Sequence, residues 1–223
     1  MPPHPLDIAS SALPGEHIAL LTRYPRPGRV KTRLIPALGA EGAAALQRRL
    51  TEAMLARLKA LRGQRQFRLT IWYEGADQGS MAAWLGPGYH CVPQPDGDLG
   101  RRMDIAARTA LAAGCQRLLL IGADCPGLDA PLLAAALERL RTADLVLGPA
   151  HDGGYYLLGL SKRLPAAARR RLFAGISWGS DQVLAETLHQ ARAAGIDPFL
   201  LPERHDIDRP EDLVHLDHHP DPQ

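Results

Sequence analysis

The stretch Leu118-Leu119-Leu120-Ile121-Gly122-Ala123-Asp124-Cys125-Pro126 constrains this chain most, because an unbroken apolar run stops abruptly at a single carboxylate held in a Pro-terminated turn. A run of that kind reads as a buried parallel strand, in a sheet whose two faces are covered by helices. Open sheets of this type place their ligand chemistry just beyond the carboxyl ends of the strands, which positions Asp124 to hold a metal. An Asp in such a place also serves as a plain turn residue that satisfies its own backbone.

The rest of the chain alternates between strand and helix patterns. Residues 1–16 are rich in Pro, Ser and small side chains and read as a loose tail, and 17–22 as a first strand. Residues 41–61 carry Leu46, Leu50, Met54, Leu58 and Leu61 at helical steps, with Gly63 as terminator. Strand patterns follow at 67–73, 117–123, 144–148, 155–160 and 199–201, and helical ones at 102–113, 130–140, 165–173, 181–194 and 210–216. Asp129 can cap the helix at 130–140, with Pro131 in its first turn, and Gly114 and Gly195 stop two others. The expected class is α/β: one domain over 17–216 with a mostly parallel, doubly wound central sheet, ending in a tail at 217–223.

Of 223 residues, 46% are hydrophobic, enough for one sizeable core, and the formal charge of +2 is too small for a general nucleic-acid binder. No apolar run reaches the ~20 residues that cross a bilayer, and 1–16 lacks the pattern of a secretory leader, so a cytoplasmic protein without membrane insertion is expected. Cys91, Cys115 and Cys125 are an odd set without a close pair, which indicates neither a disulfide framework nor a zinc knuckle. No long apolar surface stripe speaks to oligomeric state.

Four further stretches can carry chemistry. Arg23, Arg26, Arg29, Lys31 and Arg33 lie with two prolines and Gly28 between the first strand and the next helix, an anion cradle by composition that suits a diphosphate. It is not a Walker loop, because Lys31-Thr32 follows Val30 and the glycine spacing is missing. The turn Gly97-Asp98-Leu99-Gly100, with Arg101 and Arg102 behind it, can touch a nucleotide or act as an ordinary turn. The loop His151-Asp152-Gly153-Gly154-Tyr155-Tyr156 reads either as a tight hairpin or as an acceptor loop, in which Asp152 would position or deprotonate a hydroxyl and His151 is the second choice. Asp206 and Asp208, two apart, suit an oxygen-preferring cation, while Asp208, Pro210 and Glu211 also make a helix-start pattern. His215, His218 and His219 read as an exposed, incidental cluster.

In this order the motifs resemble a bacterial family of glycosyltransferase-A-like proteins of the arsenosugar-biosynthesis type, related to phospholactate guanylyltransferase-like nucleotidyltransferases. The likeness rests on Lys31-Thr32-Arg33-Leu34, Gly97-Asp98-Leu99-Gly100, Gly122-Ala123-Asp124-Cys125-Pro126, Asp152-Gly153-Gly154-Tyr155-Tyr156, Ile176-Ser177-Trp178-Gly179-Ser180 and Asp206-Ile207-Asp208. It implies a glycosyltransferase-A-like fold, with Mg2+ or Mn2+ on Asp124 and Asp208 and nucleotide phosphates on Lys31, Arg23 and Arg33. Gly97, Asp98 and Gly100 would join the nucleotide side, and Asp152, Gly153, Gly154, Tyr155 and Trp178 the acceptor side. Gly122 stands where wider members carry the first Asp of Asp-x-Asp, and Thr22-Arg23-Tyr24-Pro25 replaces the usual Gly-rich opening. The leading expectation is sugar transfer from a nucleoside-diphosphate sugar to a small acceptor. The alternatives are nucleotidyl transfer from a nucleoside triphosphate to a small phosphorylated substrate, and nucleotide binding without turnover.

Overall fold

The structure, a computed structural model, describes residues 15–216; the tail at 217–223 and residues 1–14 of the N-terminal tail lie outside the described residues. Strands β1 (Glu16–Arg23), β2 (Arg68–Glu74), β3 (Cys91–Pro93), β4 (Arg117–Gly122), β5 (Leu145–Pro149), β6 (Tyr155–Ser161) and β7 (Phe199–Leu200) form one sheet in the order β3-β2-β1-β4-β6-β5-β7. Helices α1 (Ile35–Arg62), α2 (Gln78–Leu85), α3 (Leu99–Ala112), α4 (Ala130–Arg139), α5 (Ala166–Arg171) and α6 (Val183–Ala193) connect them. The strands from β3 to β4 pair in parallel, β6 runs antiparallel to both β4 and β5, and β7 is parallel to β5. This is the expected mostly parallel, doubly wound α/β sheet, with one reversed strand.

Strand alternation sends neighbours to opposite faces. Ile18, Leu20, Leu119, Ile121 and Leu157 pack with α1 and α4, while Ala19, Leu118, Leu120, Leu158 and Leu160 pack with α3 and α6. A third, smaller cluster of Leu34, Ala43, Leu46, Leu50 and Ile207 ties the loop after β1 to the C-terminal segment.

Several elements depart from expectation for local reasons. Helix α1 begins at Ile35 rather than 41; Gly39, at φ 71°, interrupts it, and the apolar period only starts beyond that break. Gly63 ends α1 in a right-handed conformation, φ −63°, not the left-handed one expected of a glycine terminator. Helix α3 starts three residues early, at Leu99, because the Asp98 carboxylate accepts the Arg101 N–H over 2.8 Å. Helix α2 and strand β3 had no periodic signal: the first is a short helix capped by Asp77 on Ser80, and the second is a three-residue edge strand.

Inside the sheet, His17 is buried, its Nε2 3.0 Å from Thr70 Oγ1. Burial, and then the positive charges of Arg68 and His90, hold the imidazole down at about 4 against an ordinary 6.5. The unfolded chain binds this proton more readily than the folded one, so His17 contributes stability above pH 6.5 that is lost as pH falls toward 4. Urea titrations should therefore show wild type losing about 2 kcal/mol more than His17→Asn between pH 8 and pH 5. Parallel pH profiles for the two proteins would show that burial of His17 has no such effect.

Candidate active site

The carboxyl ends of β1 and β4 open onto the cation loop, and one residue of that loop is folded inward. Lys31 adopts φ 47° and is the only non-glycine residue with a positive φ among the described residues. A left-handed lysine costs about 1 kcal/mol or more, and the contacts its side chain makes offset that cost. Its buried ammonium donates to the Ile207 carbonyl at 2.5 Å and lies 2.9 Å from Asp124 Oδ1. The Asp124 carbonyl accepts the Ile207 N–H over 2.9 Å, so the segment 206–208 is laid against the turn that follows β4.

Asp206 and Asp208 flank Ile207 and meet different partners. Asp208 Oδ2 is 2.6 Å from Arg33 Nη1, an exposed pair. Asp208 does not cap the following helix. The Asp212 carboxylate accepts both the Asp208 and Arg209 N–H groups, at 3.0 and 2.7 Å, and does the capping work expected of Asp208 and Glu211. Asp206 Oδ1 is shielded from solvent with no hydrogen-bond partner among the described residues. Burial, followed by the negative charges of Asp124 and Asp152, pushes the Asp206 carboxyl up to about 7 against an ordinary 3.8, with Lys31 opposing the rise.

Asp152 belongs to a tight hairpin between β5 and β6, in which the Ala150 N–H donates to the Gly154 carbonyl at 3.0 Å. Its Oδ1 accepts the Gly154 N–H at 2.9 Å, so the hairpin and acceptor-loop readings of this stretch are compatible. Gly153 sits at φ 86°, and a Cβ there would lie 2.1 Å from the Asp181 carbonyl oxygen. No other residue fits that close approach.

Arg23 and Arg102 converge on Glu74, with nitrogen to oxygen distances of 3.3 and 2.7 Å. Arg102 also donates to Gln94 Oε1 and the Gly97 carbonyl, and Gln94 Nε2 donates to the Thr22 and Trp72 carbonyls. This network fastens the start of the cation loop to the start of α3. Glu74 escaped the sequence reading; its signal was its place as the last residue of a strand that ends at the site.

The structure places the remaining candidates in supporting positions. Asp98 caps α3, and Gly100 lies inside that helix beneath Trp178, whose indole nitrogen would be 2.4 Å from a Cβ at that position. Tyr155 meets Trp178 edge to face at 6.5 Å and packs against the α3–α6 side of the sheet. Its hydroxyl is shielded beside Thr187, and burial holds it above the usual phenol range. The structure therefore brings Lys31, Arg33, Asp124, Asp206 and Asp208 together, sets Asp152 near Asp206, and leaves Tyr155 and Trp178 on the neighbouring face.

A cation would find oxygen donors here. Three carboxylates repel one another around Asp206, and its orphaned Oδ1 suits a hard divalent ion. Among the described residues, no group of three or more His, Cys, Asp or Glu side chains is gathered closely enough to hold a metal ion by itself.

A parallel half-sheet carrying a cation loop and an acidic edge at its carboxyl ends defines a nucleotide-diphospho-sugar transferase-like α/β protein. The chain belongs to the DUF2064 family, described as "Uncharacterized protein conserved in bacteria", whose signature matches residues 57–180. It is similar to a nucleotide-diphospho-sugar transferase, so assigned provisionally, from Desulfovibrio desulfuricans G20, at 35% identity and a TM-score of 0.83, over 90% of this chain and 85% of that one. The 3-phospho-D-glycerate guanylyltransferase of Phenylobacterium zucineum (strain HLK1) is 34% identical over 145 residues, 61% of this chain. The match spans 60% of that relative's length. A cytidylyltransferase from Leptospira borgpetersenii shares the fold at 16% identity, with a TM-score of 0.56 over 89% of this chain and 83% of that one. Among the described residues no helix is long and apolar enough to cross a membrane.

The hairpin gives a structural test. Gly153→Ala should cost about 2–3 kcal/mol in urea unfolding, from overpacking on Asp181 and the positive φ together. Gly154→Ala, whose Cβ would meet only the Asp152 carboxylate at 3.1 Å, should cost less. Equal stabilities would mean the hairpin is not held against Asp181.

Proposed function

We propose that this protein is a nucleotidyltransferase that moves a nucleoside monophosphate from a nucleoside triphosphate to a small phosphorylated acceptor, releasing pyrophosphate. The observation that carries this reading is the 2.9 Å pair of Lys31 and Asp124, which joins the cation loop to the carboxylate at the end of the central strand. The guanylyltransferase relative supports it, and so does a cation density that suits a triphosphate.

An acceptor phosphate oxygen attacks the α-phosphorus, the bond from α-phosphorus to the bridging oxygen breaks, and pyrophosphate leaves with the electron pair. Lys31, Arg33 and Arg23 bind the triphosphate and take up the negative charge that develops on the leaving group. Asp124, with Asp206 or Asp208, would hold a divalent cation, Mg2+ or Mn2+, which would supply further neutralisation of that charge. Asp152 orients the acceptor from the hairpin. Gly97, Asp98 and Gly100 set the start of α3 against the nucleotide side. The family likeness gives glycosyl transfer from a nucleoside-diphosphate sugar the second place, and its product would be a nucleoside diphosphate.

The test is product analysis with each nucleoside triphosphate, GTP first, and 3-phospho-D-glycerate as acceptor, with and without Mg2+. Pyrophosphate release that requires acceptor and metal supports the reading. Nucleoside diphosphate formed from a nucleotide sugar, without pyrophosphate, replaces it by glycosyl transfer. Lys31→Ala should lower turnover roughly 10²-fold, since such a contact carries ~3 kcal/mol in the transition state; unchanged turnover removes Lys31 from that role.

A further inference from the structure

Three imidazoles that the proposed reaction leaves unused stand together beside the hairpin. His151, His205 and His215 stack as near-parallel rings, with centroids 4.2 Å apart at 14° and 3.8 Å apart at 17°. Backbone pairing builds the stack: the His151 N–H donates to the Arg204 carbonyl at 3.0 Å, and the Arg204 N–H donates to the Pro149 carbonyl at 3.1 Å. The same pairing carries the next residues, Asp152 and Asp206, into each other's field, so two of the rings sit one residue from a site carboxylate. Arg204 is half-buried, and its guanidinium is anchored on carbonyls, Nε to Gly127 at 3.4 Å and Nη1 to Glu203 at 2.9 Å. The acidic groups at the stack are Glu203, 3.9 Å from His151 Nε2, and Asp212 beside His205. His215 was expected to be an exposed tail residue with His218 and His219; it belongs to this stack, and the other two lie outside the described residues.

We infer that His151 and His205, with the fixed charge of Arg204, bind the anionic group of the acceptor and make the site specific for a negatively charged small molecule. This rests on the nucleotidyl-transfer reading for the word acceptor, and on the stack for the rest. Asp124, Asp152 and Asp206 already supply acceptors for a neutral hydroxylated molecule; a phosphate or carboxylate beside them is repelled unless donors hold it. Stacked rings present N–H edges in successive planes about 4 Å apart, so neighbouring imidazoles reach different oxygens of one anionic group.

Calorimetry on the full chain tests this with four probes: 3-phospho-D-glycerate, glycerol 3-phosphate, glycerate and glycerol. The two phosphorylated probes separate phosphate recognition from carboxylate recognition, and glycerol should not bind. His151→Phe and His205→Phe keep ring on ring and remove the N–H, so each should weaken the anionic probes about tenfold while GTP affinity and melting temperature stay unchanged. Anionic probes that bind the Phe variants as well as wild type, that do not bind at all, or that bind no better than glycerol would each overturn the proposal, as would a parallel loss of GTP affinity. Anion binding through the histidines without pyrophosphate release from any triphosphate would keep this proposal and remove the nucleotidyl-transfer reading. Pyrophosphate release with a phosphorylated acceptor that the Phe variants bind as well as wild type does would do the reverse.

Discussion

The Ile207 N–H donates to the Asp124 carbonyl, and the Lys31 ammonium donates to the Ile207 carbonyl while lying against the Asp124 carboxylate. Through those three contacts a residue of the C-terminal segment joins a loop 176 residues earlier in the chain to the end of the central strand. The Ile207 side chain is fully buried with Leu34, Leu46 and Leu50, and that burial contributes about 1.5–3 kcal/mol toward holding the backbone in place. Without the apolar anchor the polar contacts would have to order the segment alone, against its conformational entropy. Asp124, Asp206 and Asp208 are positioned by this junction.

Its electrostatics are unevenly balanced. Lys31 and Arg33, two residues apart, meet Asp124 and Asp208 respectively, which leaves Asp206 between them with a raised carboxyl and no cation of its own. The buried ammonium needs its two oxygen partners, because an unpaired charge at that depth costs several kcal/mol. The exposed Arg33–Asp208 pair is worth little in itself and can exchange partners with small loss. A rigid cation paired with Asp124 therefore accompanies an exchangeable one paired with Asp208, while burial and the charges of Asp124 and Asp152 hold the Asp206 carboxyl up.

Most of the sheet was legible in the sequence because long apolar runs and helical periods are decided by burial, which composition records directly. The boundaries were less so. Helix α3 begins at Leu99 because Asp98 bonds one N–H, and the segment after Asp208 turns because Asp212, not Glu211, reaches back to the backbone; both depend on a side-chain rotamer that no periodicity encodes. The site candidates Lys31, Asp124 and Asp208 stood out as charges beside apolar strands. Glu74 and the histidine stack did not, since each gains its meaning from a partner distant in the chain: Arg102 for Glu74, and His151 for His205.

The reversed strand explains how two halves of the chain reach one edge. In a wholly parallel sheet each loop past a carboxyl end leads back through a helix, and only one residue or two of each connection stay at the edge. Here β6 runs antiparallel to β4, with Ile121 opposite Leu157, so it is the amino end of β6 that lies beside Asp124. The hairpin before Tyr155 consequently lands at the carboxyl end of β4, and it can stay short because β5 ends on the same side. Tight packing there demands small residues: Gly148 lies against the Tyr156 ring, 2.4 Å from where its Cβ would be, and Gly153 against the backbone of Asp181. One strand reversal and two glycines thus bring Asp152 to face a carboxylate that the C-terminal segment delivers from the other direction.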